Sequence, residues 1–126
     1  MPKQVPGLSG APAPVAPYSV VTEANGFVFV SGQVAIDPSG GETPGDVAGQ
    51  ARLIMRNIGK ILAEVGLDYP DIVKTTIFLG DIADYGTVNE IYGGYFPTEP
   101  PARSAVQVAA LPKPEFLVEI ELIACR

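Results

Sequence analysis

Two runs rich in β-branched and aromatic residues, Tyr18–Glu23 and Phe27–Ser31, flank Asn25-Gly26 within the segment YSVVTEANGFVFVSGQVAI. A type I′ turn needs positive φ at both central positions, which Asn-Gly supplies, so the pattern predicts a hairpin. A shorter extended piece is expected at Val34–Ile36, before the turn Asp37-Pro38-Ser39-Gly40-Gly41. The period then changes. Val47, Ala51, Ile54, Ile58, Ile61, Leu62 and Val65 recur three and four residues apart, the spacing of one helix face. Thr43 is placed to cap this helix, with Pro44 at its first position, Asp46 near its positive end and Gly66 as its stop. Ile72–Leu79 reads as a strand. A second helix is expected from a cap at Asp84 to about Tyr95, ended by Pro97. Tyr85, Val88, Ile91, Tyr92, Tyr95 and Phe96 would form its apolar face. Ser104–Ala109 and Phe116–Ala124 read as the last strands.

The resulting order is β-β-β-α-β-α-β-β. Two helices cover only one face of such a sheet, so the pattern predicts an α+β two-layer architecture with six strands and both helices on one side. In the last strand, Val118, Ile120 and Leu122 point one way, while Leu117, Glu119, Glu121 and Ile123 point the other. This second set is mixed. It fits either a solvated sheet face or a face partly buried against other copies around a symmetry axis.

Composition narrows the function classes. The 126 residues suggest a single domain spanning 1–126, with the proline-rich residues 1–17 extended on its surface or on a neighbouring subunit. The net charge of −6 argues against a general nucleic-acid binder and against an anionic membrane surface. No apolar run approaches a membrane span, no secretory leader is visible, and the lone Cys125 allows no internal disulfide; a cytoplasmic location is expected. The chain has no histidine, which excludes a histidine base or metal ligand, and one cysteine is too few for a thiolate zinc site. On another face of the first helix, Arg52, Arg56, Lys60 and Glu64 form a stripe, most simply a solvated face, or more sharply a docking surface for an anionic partner.

Few residues remain for chemistry. Arg103, in PPARSAVQVAALPKP, stands alone at the start of an apolar strand. Its guanidinium could hold a carboxylate through two parallel hydrogen bonds, pair with one of the 14 acids of the chain, or reach out to solvent. Glu119 and Glu121 share a strand face, where paired acids serve proton transfer if their environments separate their pKa values, and are otherwise simply exposed. Asn89 lies near the apolar side of the second helix, where a buried amide needs a partner, either ligand or backbone. Tyr18 opens the first strand, and Gly32 would let a ligand approach the backbone closely.

Together, APYSVV, FVFVSGQVAIDP, VGLDYPDIVKTTIFL, VNEIYGGYF, PPARSAVQVAALP and VEIELIA resemble the RidA family of reactive-intermediate deaminases, also called YjgF-like proteins, over about Ala13 to Ala124. The resemblance implies a chorismate-mutase-like fold. It also implies a homotrimer whose mixed sheets form an inner barrel, with helices outside and sites in the subunit clefts. The implied activity is hydrolysis of 2-imino and enamine acids released by pyridoxal-phosphate enzymes, giving 2-oxo acids and ammonia without metal or cofactor. By position, Arg103 would clamp the substrate carboxylate and Glu119 would hold or polarise water. Tyr18 and Asn89 would line the cleft, and the backbone at Gly32 and Ala105 would touch the ligand. Many members carry cysteine where this chain has Ala105, so thiol chemistry at that position is impossible here. The rival readings are a trimeric module that binds small 2-oxo or amino acids without turnover and, less favoured, an endoribonuclease.

Overall fold

The computed structural model describes residues 2–126. Asn25 and Gly26 take φ values of 53° and 82°, and the expected hairpin forms: β1 (Val21–Ala24) pairs antiparallel with β2 (Phe27–Gln33), Ala24 opposite Phe27. There follow α1 (Val47–Glu64), β3 (Ile72–Leu79), α2 (Tyr85–Gly93), β4 (Ala102–Gln107) and β5 (Val118–Cys125). The sheet order is β1-β2-β5-β3-β4. β5 inserts between β2 and β3, antiparallel to both, and β4 pairs parallel with β3 after the crossover through α2.

The sheet has five strands, not the six expected. Val34–Ile36 leaves the ladder after β2. Ile36 N–H closes on Val34 O at 2.8 Å, the Thr43 hydroxyl donates to Ala35 O at 2.9 Å, and Asn57 Nδ2 donates to Ile36 O at 2.7 Å. Hydrogen bonds outside the sheet thus satisfy carbonyls that a neighbouring strand would otherwise take. The same bond removes Thr43 from its expected role. α1 starts later, and the Asp46 carboxylate caps it by accepting from Gly49 N–H at 3.3 Å. Gly66, with φ of 78°, stops the helix as its sequence position predicts. α2 ends at Gly93, one half-turn short of Tyr95.

One side of the sheet and both helices enclose the core. Val118, Ile120, Leu122 and Ala124 of β5 are buried together with Val28, Val30, Ile77 and Leu79, under Ile54, Ile58, Ile61 and Leu62 of α1 and Val88 and Tyr92 of α2. A buried polar staple ties α1 to the start of β5. Gln50 Nε2 donates to Pro44 O at 2.9 Å and Glu115 O at 2.7 Å, and Gln50 Oε1 accepts from Leu117 N–H at 2.8 Å. The other side of the sheet is not covered, and Phe27, Phe29 and Val106 are each more than 40% exposed there.

The N-terminal segment lies on its own chain. Gln4 pairs with Glu23 at the β1 edge, and the Glu64 carboxylate accepts from the Ser9 backbone and hydroxyl at 2.7 Å each and from Gly10 N–H at 3.1 Å. Among the described residues no helix is long and apolar enough to cross a membrane.

Candidate active site

Register places the singled-out residues. Arg103 of β4 lies opposite Thr75 of β3, and Ala105 lies opposite Ile77. Thr75 and Ile77 are buried under the helices, so Arg103 and Ala105 face α2. There the guanidinium is held on both arms. Nη1 donates to Asn89 Oδ1 at 2.7 Å, and Nη2 donates to the Tyr85 hydroxyl at 3.0 Å. Its Cζ stands 5.5 Å from the centroid of the Tyr85 ring and 5.2 Å from that of Tyr92. Tyr92 is itself fixed by a 2.7 Å hydroxyl–hydroxyl bond with Thr75. Asn89, expected to need a partner if buried, is half-buried and pairs with Arg103.

Among the described residues no carboxylate neutralises this cation. Among the described residues the one ion pair is Arg126 with Glu23, at 2.6 Å. Arg103 therefore has neutral acceptors and aromatic faces but no counter-ion, and it opens onto a cleft of about 320 Å³ lined also by Asn89, Tyr92, Gly93, Phe96, Pro100 and Pro101. Such an arrangement suits an anionic ligand that brings its own carboxylate.

Glu119 lies elsewhere. On β5 it is paired with Phe78, while its neighbours Val118 and Ile120 fill the core, so its side chain projects from the uncovered face. Glu121 follows it on that face and is exposed. Burial, and after it the charge of Glu121, raises the Glu119 carboxyl above its ordinary value. Gly32 packs directly against it: a Cβ at Gly32 would overlap the Glu119 carboxylate. The β2–β5 register shifts between Val30 and Gln33, and this bulge is what brings Gly32 over Glu119. Ser31 fastens the bulge to the segment beside Tyr18, its N–H bonding Val20 O at 2.9 Å and its hydroxyl bonding Ser19 O at 2.7 Å. Tyr18 is 47% exposed at this rim.

The six candidates thus form two groups. Arg103, Asn89 and Ala105 share the helix side of the sheet; Glu119, Gly32 and Tyr18 gather about the uncovered side and its rim. Tyr85 and Tyr92, expected from the sequence as apolar packing of α2, also hold the guanidinium. Their spacing from Asn89, four residues before and three after, puts all three on one helix stripe, and that was the available signal. Among the described residues no three His, Cys, Asp or Glu side chains come together as a metal site requires.

The family described as Endoribonuclease L-PSP matches residues 8–126. A mouse (Mus musculus) protein named 2-iminobutanoate/2-iminopropanoate deaminase is 46% identical over 97% of this chain and 90% of its own length. A crystal structure of YyfA, a Rid-family protein of unknown function from Yersinia pestis, superposes with a TM-score of 0.93 at 42% identity, covering 99% of this chain and all of that one. E. coli TdcF, solved with bound serine, gives a TM-score of 0.90 at 40% identity over 98% of both chains.

Proposed function

The chain belongs to the Endoribonuclease L-PSP, or RidA, family, and from that membership we propose that it hydrolyses 2-imino acids and their enamine tautomers to 2-oxo acids and ammonia. The observation that carries this reading is Arg103, a cation fixed on both arms and left without a carboxylate partner. It anchors the substrate carboxylate. Asn89 holds its plane, and the backbone at Ala105, further along the same face, contacts the ligand. Water adds to C2 of the protonated imine and gives up a proton to Glu119. The carbinolamine then loses its nitrogen as ammonia while the C2 hydroxyl becomes the keto oxygen. A protonated imine is already a strong electrophile, so orientation of water and substrate supplies most of what is needed. Gly32 leaves room for Glu119 and for ligand beside it, and Tyr18 forms the rim.

One chain does not unite these parts, because Arg103 and Glu119 project from opposite faces of the sheet. A homotrimer, with uncovered sheet faces turned inward and clefts between subunits, brings the Arg103 side of one copy to the Glu119 side of the next. The exposed Phe27, Phe29 and Val106 support it, as apolar surface that an interface would cover. The whole chain acts as one domain, in the cytoplasm, on imino acids released by pyridoxal-phosphate enzymes. No step of this hydrolysis calls for a metal or cofactor.

A second reading, favoured by the serine-bound TdcF relative, is ligand binding without turnover. Ribonuclease activity, which the family description names, has less support: the net charge is −6 and the chain has no histidine for general acid–base cleavage. The deciding experiment generates a 2-imino acid with an amino-acid oxidase or a dehydratase in the presence of semicarbazide. Wild type is expected to suppress semicarbazone formation, and folded Arg103→Ala is not. Suppression by both rejects the anchor; suppression by neither, over several side chains, favours the binding reading.

A further inference from the structure

Tyr85, Asn89 and Tyr92 form one stripe of α2, and all three meet the Arg103 guanidinium. Their environments differ. Tyr92 is buried and its hydroxyl is taken by Thr75. Tyr85 is 41% exposed, and among the described residues its hydroxyl has one partner, Arg103 Nη2 at 3.0 Å. A phenylalanine would supply the same ring to the same packing. The phenol oxygen therefore has no structural task in this chain apart from the guanidinium.

We propose that Tyr85 is a positioning residue of the Arg103 clamp: its hydroxyl accepts from Nη2 as Asn89 accepts from Nη1, and the two anchors together fix the plane of the fork. One anchor leaves the guanidinium free to pivot about that single bond. Two, four residues apart on a rigid helix, remove the pivot. Each terminal nitrogen keeps a second N–H, and Nε keeps its own, so donors remain for an incoming carboxylate. The rings of Tyr85 and Tyr92 lie against the guanidinium and limit its tilt. This inference rests on the reading of Arg103 as carboxylate anchor.

The test compares wild type with Tyr85→Phe, which keeps the ring and removes only an exposed oxygen. With 2-iminobutanoate, KM is expected to rise roughly threefold to tenfold with kcat within about a factor of two, the scale of one lost hydrogen bond to a charged group at a partly exposed site. Nitrogen-15 spectra of the arginine side chains give an independent readout: rotation about the Arg103 Cζ–Nη2 bond, restrained in wild type, is expected to become faster in the variant. Support requires both changes. An unchanged KM overturns the proposal whatever the spectrum shows, and a raised KM with unchanged rotation overturns it in favour of direct contact between Tyr85 and substrate. If wild type fails to hydrolyse any imino acid, the deaminase reading falls separately. Tyr85 is then judged by calorimetric binding of 2-oxobutanoate and the same spectra: weaker binding with freer rotation supports positioning, and equal values or no binding by wild type overturn it.

Discussion

The two sides of the sheet are finished to different degrees. On the helix side, Arg103 is half-buried, bonded on both arms and set between aromatic rings, and every group that holds it comes from the same chain. On the other side, Glu119 lies against Gly32 at a bulge, on the same sheet face as the exposed Phe27, Phe29 and Val106. The first side has the marks of a preorganised anchor; the second is half of something. A carboxylate with a raised pKa and an exposed apolar surround gains definition when a second surface closes over it.

The sharpest way to break this contrast is to divide it between two chains. Arg103→Ala and Glu119→Ala are each expected to be nearly inactive, the latter by roughly 10²–10⁴-fold in kcat, the range of a positioned proton-transfer group. If the site lies between copies, unfolding and refolding the two variants together creates some clefts with an intact Arg103 from one copy and an intact Glu119 from the next. Random assembly of an equal mixture should restore about a quarter of wild-type activity. No restoration, with mixed oligomers confirmed by mass, would mean that both residues serve from the same subunit and that the opposed faces mislead.

A second break targets the uncovered face alone. Phe29 is 42% exposed and makes no part of the core, so Phe29→Asp should leave the chain folded. Set in an interface, an unpaired charge at that position should cost about 2 kcal/mol or more per contact. The expected result is a monomer by light scattering with native circular dichroism and little activity. An active monomer would defeat the two-sided site.

The sequence revealed one side better than the other, for a physical reason. Arg103 was conspicuous as a cation at the start of an apolar strand, and Asn89 as an amide on an apolar helix face. Both stood out against local pattern. Glu119 carried a weaker signal, because paired acids on alternate strand positions are what a solvated face also shows; only the resemblance to a family motif set it apart from Glu121. The fold was legible wherever the period was long or the turn chemistry strict, as in α1, β3 and the Asn25-Gly26 hairpin. Val34–Ile36 failed because Thr43 and Asn57, distant in sequence, take its carbonyls. Tyr85 was legible as apolar but not as an acceptor, since the role of its hydroxyl depends on where β4 lies.

Gln50 tests whether the core alone can hold the anchor side. It is fully buried and bonds three backbone groups that flank α1 and β5. Gln50→Ala should destabilise the fold by about 2–4 kcal/mol, because the loss leaves buried donors and acceptors unpaired as well as a void. Denaturant unfolding measures it. At temperatures where the variant stays folded, kcat should change little. A fall in kcat matching that of Glu119→Ala would show that the staple acts on the site rather than on stability.

The smallest expected effect is the most specific to Glu119. In the proposed role of base it must be ionised, so kcat/KM should fall as pH drops through its raised pKa, which lies above that of an ordinary carboxylate. Burial is the larger cause of the shift and the charge of Glu121 the smaller. Glu121→Gln should therefore move the acid limb of the profile downward, with the plateau preserved. Stability should respond with linked sign. A carboxyl whose folded pKa is raised binds more protons in the native state, so its contribution favours folding at low pH and is lost as pH rises from the unfolded value through the folded one. Glu119→Gln, inactive in the assay, should then be at least as stable as wild type at neutral pH, with its advantage shrinking in acid. An acid limb indifferent to Glu121, together with a Glu119→Gln variant less stable than wild type at neutral pH, would move the base elsewhere and leave Glu119 a structural partner of the Gly32 bulge.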